Sequence, residues 1–115
     1  MSAIGTTPAR QAVDRYVESV NTTDLDGLLG LFAADAVLTP PRGVPECRGT
    51  DAIRSFYADI VFQQAPVVTP TNVVEQGNQC VAELTAVMNG EPSHLIDVFE
   101  VGGDGLVTRL AISLR

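Results

Sequence analysis

Apolar residues recur at Ala12, Val13, Tyr16, Val17 and Val20, the spacing of one face of a helix. Thr7-Pro8, just ahead of this stripe, reads as an N-cap followed by proline at the first helical position. Asn21-Thr22-Thr23 interrupts the pattern. Asp24 is then placed to cap a second helix, whose buried side carries Leu25, Leu28, Leu29, Leu31 and Phe32. Residues 35–39 read as a short extended piece stopped by Pro40-Pro41. Residues 43–49 read as loop, and Thr50 caps a third helix with Ile53, Phe56, Tyr57 and Ile60 turned inward.

The texture changes after Pro66. Val67-Val68, Val73-Val74 and residues 81–88, 95–101 and 106–114 are strand-like, and Asn89-Gly90 and Gly102-Gly103-Asp104-Gly105 are turn sequences. Helices first and a run of antiparallel strands after them is an α+β pattern. It predicts one domain over residues 1–115, with three N-terminal helices on a curved, mainly antiparallel sheet and a cone-shaped pocket between them. No repeat, linker or low-complexity segment interrupts it.

Strand alternation sorts the candidate site residues. Leu95, Asp97 and Phe99 share one face, and His94, Ile96, Val98 and Glu100 the other. A regular Asn89-Gly90 hairpin adds Ala82, Leu84 and Ala86 to the first face, and the last strand adds Leu110, Ile112 and Leu114. That surface is apolar with one carboxyl in it. Asp97 is therefore expected to be protonated or strongly hydrogen-bonded, because a bare buried carboxylate is costly. A neutral carboxyl donates a hydrogen bond, and a tyrosine hydroxyl beside it donates a second. Two such donors in a dry pocket form an oxyanion hole. His94, Glu83 and Glu100 fall on the outward parity. Asp24, Asp26 and Asp51 sit at helix ends, and Arg42, Glu46 and Arg48 lie in the loop near the expected mouth.

Composition narrows the function class. Of 115 residues, 45% are hydrophobic, enough for a packed core. The net charge of −7 argues against a nucleic-acid binder and against attraction to an anionic membrane. No apolar run reaches the roughly 20 residues that cross a bilayer, and Met1–Thr7 lacks the look of a signal peptide. Cys47 and Cys80 have neither metal nor CxxC spacing, and the chain has a single histidine, so the reading is two free thiols, no metal and a cytoplasmic setting.

Several stretches resemble the ketosteroid isomerases, within the nuclear-transport-factor-2-like and SnoaL-like polyketide cyclase superfamily. These are Arg15-Tyr16-Val17, Asn21, Asp24-Leu25-Asp26-Gly27, residues 31–36, Gly49, residues 53–57 and Ile96-Asp97-Val98-Phe99. The resemblance implies that Tyr16 and Asp97 are the catalytic pair donating to a substrate oxygen. It implies that Tyr57 hydrogen-bonds behind Tyr16, and that Asp35 is a structural residue near the second helix. It also implies a substrate pocket walled by Val20, Phe32, Leu84 and Leu95, and by Phe99, Leu110, Ile112 and Leu114. A homodimer packed through the sheet, an apolar small-molecule ligand and no organic cofactor complete the expectation. The family's general base, an aspartate just before a proline, aligns with Pro40, which cannot accept a proton.

Three functions follow. The first is an isomerase-like enzyme that polarises an apolar ketone of steroid or polyketide size, with Glu46 or water as a substitute base. The second is a cyclase, dehydratase or hydrolase of the same superfamily, with Asp97 as acid or base. The third is a binding protein that holds phenols or ketones without turning them over.

Overall fold

The protein is described here by a computed structural model covering residues 7–115. The expectation about the leader sequence at residues 1–6 lies outside the described residues. Helix α1 spans Pro8–Asn21 and buries Ala9, Ala12, Val13, Tyr16 and Val20. The hydroxyl of Thr7 caps it by accepting from the Arg10 N–H (3.1 Å) and itself donates to Glu75 Oε1 (2.6 Å). At the other end the Asn21 amide donates to the Val68 carbonyl (2.9 Å) and accepts from the Val68 N–H (2.7 Å). One helix is thus tied at both ends to a single strand, β3 (Val67–Gln76).

Helix α2 is shorter than the apolar spacing predicts, running only over Leu25–Leu29. Asp24 caps it by accepting from the Gly27 N–H (3.0 Å), and a Cβ at Gly27 would strike that carboxylate. The stop at Gly30 has a tertiary cause. The Leu31 carbonyl accepts from the Val107 N–H (2.8 Å), which starts strand β1 (Phe32–Thr39) and draws Phe32 out of the helix into the sheet. The expected loop at 43–49 contains a two-residue strand, β2 (Cys47–Arg48), antiparallel to β1.

Helix α3 (Gly49–Ser55) begins at Gly49 without a side-chain cap, so Thr50 is not the capping residue expected. It continues as a π-helical stretch over Phe56–Val61 and a 3₁₀ turn over Phe62–Gln64. The wider π turn corrects the expected facing: Ile60 is 45% exposed and Val61 is buried in its stead.

Strands β4 (Gln79–Met88), β5 (Glu91–Val101) and β6 (Val107–Leu114) complete a curved six-stranded sheet in the order β2-β1-β6-β5-β4-β3. The sheet is mixed, because β1 runs parallel to β6 while the other pairs are antiparallel. The β4–β5 hairpin turns on Asn89 (φ 52°) and Gly90 (φ 80°), the two positive φ values of a type I′ turn. Its tip is held down where the Asn89 N–H donates to the Gln64 carbonyl (2.6 Å). The helices cover one face, against which Ala82, Leu84, Ala86, Leu95, Asp97, Phe99, Leu110 and Ile112 are buried. Both cysteines are buried free thiols, and among the described residues no helix is long and apolar enough to cross a membrane.

Candidate functional site

Three elements bring the polar side chains together. Tyr16 comes from α1, Tyr57 from the π-helical turn after α3 and Asp97 from the middle of β5, where it is paired with Ala82 and Ile112. All three are buried, Asp97 to 1% exposure. The two tyrosine hydroxyls share a hydrogen bond of 2.7 Å. One proton holds that bond, so the other hydroxyl proton is free to face a ligand. The Tyr16 ring is held edge-on against Phe99 with centroids 5.2 Å apart, and Tyr57 is held the same way against Phe56 at 5.0 Å.

Both carboxyl oxygens of Asp97 are buried without a hydrogen-bond partner. A buried polar group in that state demands an explanation, and a ligand atom that completes it is one. Burial pushes the Asp97 carboxyl up from 3.8 to about 7. Below that pH it is a neutral acid with a proton to donate. Burial also pushes the Tyr16 phenol well above its ordinary range; the nearby Asp97 charge adds to this and the bond from Tyr57 offsets part of it. Tyr57 is raised in the same way, first by burial and then by Tyr16. Both tyrosines are therefore donors throughout the physiological range.

These groups line a narrow cavity of about 130 Å³. Of the residues expected in its wall, Val20, Leu84, Leu95, Ile112 and Leu114 are there. Phe32, Phe99 and Leu110 are packed into the core and not into the wall, Phe99 serving as the support under Tyr16. Pro41, Phe56, Val61, Val68, Met88 and Ser93 join the wall as well. Ser93 has the same strand parity as Asp97 and Leu95, so extending the alternation two residues upstream finds it. Val61 depends on the π turn and has no comparable signal.

The loop residues take other places. Pro40 is buried beside the cavity and lines a neighbouring open groove of about 470 Å³ with Thr39, Arg42 and Ser113. That groove shares Ile112 and Leu114 with the cavity. Glu46 is exposed, accepts from Thr39 Oγ1 (3.3 Å) and pairs with Arg48 (2.8 Å). It is outside the cavity wall, which counts against it as a substitute base. His94 is exposed on the opposite face of β5. Among the described residues, Asp97 is the only carboxylate in the wall, and no three His, Cys, Asp or Glu side chains gather as a metal site.

A sequence profile of the SnoaL-like domain matches residues 13–110. Solved structures share the fold at low identity. A candidate ketosteroid isomerase from Kribbella flavida DSM 17836 superposes with a TM-score of 0.84 at 18% identity, covering 94% of this chain and 78% of that one. RV0760c from Mycobacterium tuberculosis, in complex with estradiol-17β-hemisuccinate, gives 0.79 at 20% identity over 93% of each chain. SalBIII, an epoxide hydrolase/cyclase-like enzyme of pyran ring formation in the polyether salinomycin, gives 0.84 at 19% identity, covering 93% and 90%.

Proposed function

The chain belongs to the SnoaL-like domain family, and from that premise we propose that its cavity binds an apolar ketone and polarises the carbonyl between Tyr16 and Asp97. The observation that carries this reading is the pair of buried, unpartnered Asp97 oxygens in an otherwise apolar wall. In this reading the Tyr57 hydroxyl is the donor of the shared bond, which leaves the Tyr16 proton for the ligand. Neutral Asp97 donates the second hydrogen bond. As an enolate forms, negative charge grows on the carbonyl oxygen, and both bonds strengthen inside the apolar wall.

The proton on carbon is the harder part. Enolisation breaks an α C–H bond, and its electron pair moves into the new C=C bond. With proline at position 40 and Glu46 turned away, water at the cavity mouth takes that proton and returns it to the γ-carbon for double-bond migration. A positioned base typically contributes 10²- to 10⁴-fold, so an isomerase of this design is slow.

That Asp97 is the one carboxylate among the described wall residues favours a second reading, a cyclase. A substrate that carries its own hydroxyl adds that oxygen to a polarised enone. The hydroxyl becomes acidic as the C–O bond forms, loses its proton to solvent, and the α-carbon takes one up. No base is required before bond formation. The SalBIII likeness in fold is in keeping with such chemistry.

A homodimer packed through the outer sheet face belongs to the same proposal. Val74, Val81, Val98 and Ala111 form one register row across that face. Sedimentation at micromolar concentration tests it, and a monomer there counts against it.

The test of the site is titration with equilenin, a fluorescent phenolic steroid, alongside turnover of 5-androstene-3,17-dione on the same sample. Binding that is lost in Tyr16→Phe and Asp97→Val supports the oxygen site. Turnover at the solution rate refutes the isomerase and leaves the cyclase or a ligand-binding role.

A further inference from the structure

We propose that the open groove beside the cavity is the second half of the ligand site, and that it takes a tail carrying a secondary amide. The inference rests on the oxygen site proposed above. The cavity, about 130 Å³, has room for one ring, since a dry apolar cavity of about 150 Å³ is filled by a benzene. The rest of a longer ligand leaves over Ile112 and Leu114, the residues that the cavity shares with the groove of about 470 Å³. Leu114 is 62% exposed and gives the tail apolar surface to cover.

The groove runs along an open strand edge. Its lining takes consecutive residues of β6, Ala111 to Leu114, from both faces of the sheet, and Thr39 and Pro40 at the end of β1. The Arg115 N–H donates to the His94 carbonyl (2.9 Å). Backbone direction alternates along a strand, so the groups of Ser113 and Ala111 also face β5, and those of Ile112 and Leu114 face the β1 side. β1 stops at Thr39, opposite Ala111, a register that gives the Thr39 carbonyl the Ile112 N–H. The next donor of this ladder, to the Ile112 carbonyl, would be residue 41. Pro41 has no N–H, so that carbonyl keeps an empty place. Among the described residues no strand pairs with β6 past Ala111 on this side. The open stretch, Ile112 to Leu114, is too short for a docked strand and fits a single amide N–H. Ile112 is also the register partner of Asp97 across β5 and β6. From Asp97 to the strand place beyond β6 is two strand spacings, roughly 10 Å. One ring on a two-carbon tether bridges that span, with a hydrogen bond at each end.

Three small phenols test the proposal. 4-Ethylphenol has only the head, N-acetyltyramine adds an amide on the same tether, and 4-hydroxyphenethyl acetate is the ester counterpart without the N–H. Each is titrated by calorimetry against the wild type and Ser113→Trp, which fills the groove from a position outside the cavity wall. Urea midpoints confirm that the variant is folded. The amide is expected to bind the wild type about 2- to 10-fold more tightly than the ester, and the two to bind alike in Ser113→Trp. Equal affinities in the wild type, or a difference that survives in Ser113→Trp, with 4-ethylphenol still bound, overturn the role of the groove and leave the oxygen site in place. If the wild type binds none of the three phenols, the inference and the oxygen site fall together.

Discussion

Asp97 makes folding stability depend on pH in the direction opposite to most carboxylates. Burial raises its carboxyl from 3.8 to about 7 in the folded chain. Between these values the folded protein holds a proton that the unfolded chain has released. Folding takes up a proton there, so stability falls as pH rises through this window. Below pH 4 both states are protonated and the cost vanishes; above pH 7 it is complete. At 1.36 kcal/mol per pH unit, the span corresponds to about 4 kcal/mol at most, a large part of a small domain's stability. In urea, with a slope near 2 kcal/mol/M, it moves the midpoint by about 2 M. The assay is equilibrium urea unfolding at several pH values from 4.5 to 8, on the wild type and Asp97→Asn. The amide does not titrate, so the fall in midpoint seen in the wild type should be largely absent from the variant. The comparison concerns slopes, since Asn buries its own polar atoms at a fixed cost. Parallel pH profiles in the two proteins would refute the reasoning, for they would mean that Asp97 is ionised or paired in the folded state.

Asn21→Ala removes both bonds to Val68 and is expected to cost about 1–3 kcal/mol in urea unfolding while weakening equilenin binding; a change below about 0.5 kcal/mol would mean the helix end is held by packing alone. Pro41→Asp puts a carboxylate in the cavity wall, where the native wall has Pro41. Turnover of 5-androstene-3,17-dione is expected to rise by about 10²-fold, within the usual range for a general base, and an unchanged rate would place the reacting carbon elsewhere.

Much of this architecture was legible from periodicity. The α1 stripe, the alternation of β4, β5 and β6 and the Asn89-Gly90 turn are local signals, and each element forms over its pattern, β5 starting four residues earlier than read, at Glu91. The shared face of Leu95 and Asp97 followed from strand parity alone. The departures occur where distant chain overrides local spacing. Leu31 and Phe32 continue a helical stripe, yet their backbone is taken by Val107, a partner far along the chain. Ile60 and Val61 exchange places because α3 widens into a π turn, and neither residue signals that in an apolar run. For the site, Tyr16, Tyr57 and Asp97 stand together in the structure. Glu46, near Pro40 in sequence, stays outside the cavity wall, held by a hydrogen bond from the Thr39 hydroxyl and by its ion pair with Arg48.

The parallel pairing of β1 with β6 has a consequence for the order of assembly. Strands β3 to β6 form a meander of short-range hairpins, whereas β1 reaches the rest of the sheet through β6, aligning Phe32 with Val107. Closing so long a loop is slow, so the meander is the natural early unit and the docking of β1 the late one. Tyr16 and Tyr57 flank β1 in the chain, and Asp97 belongs to the meander. Tyr16 reaches the meander with α1, which is tied to β3, whereas Tyr57 follows α3, which packs on β1, so the site is complete only when that last strand docks. Reversing the step, a partial opening that releases β1 and α3 from an intact meander would admit a ligand too wide for the cavity mouth. Amide exchange would reveal it as earlier loss of protection in β1 than in β4 and β5.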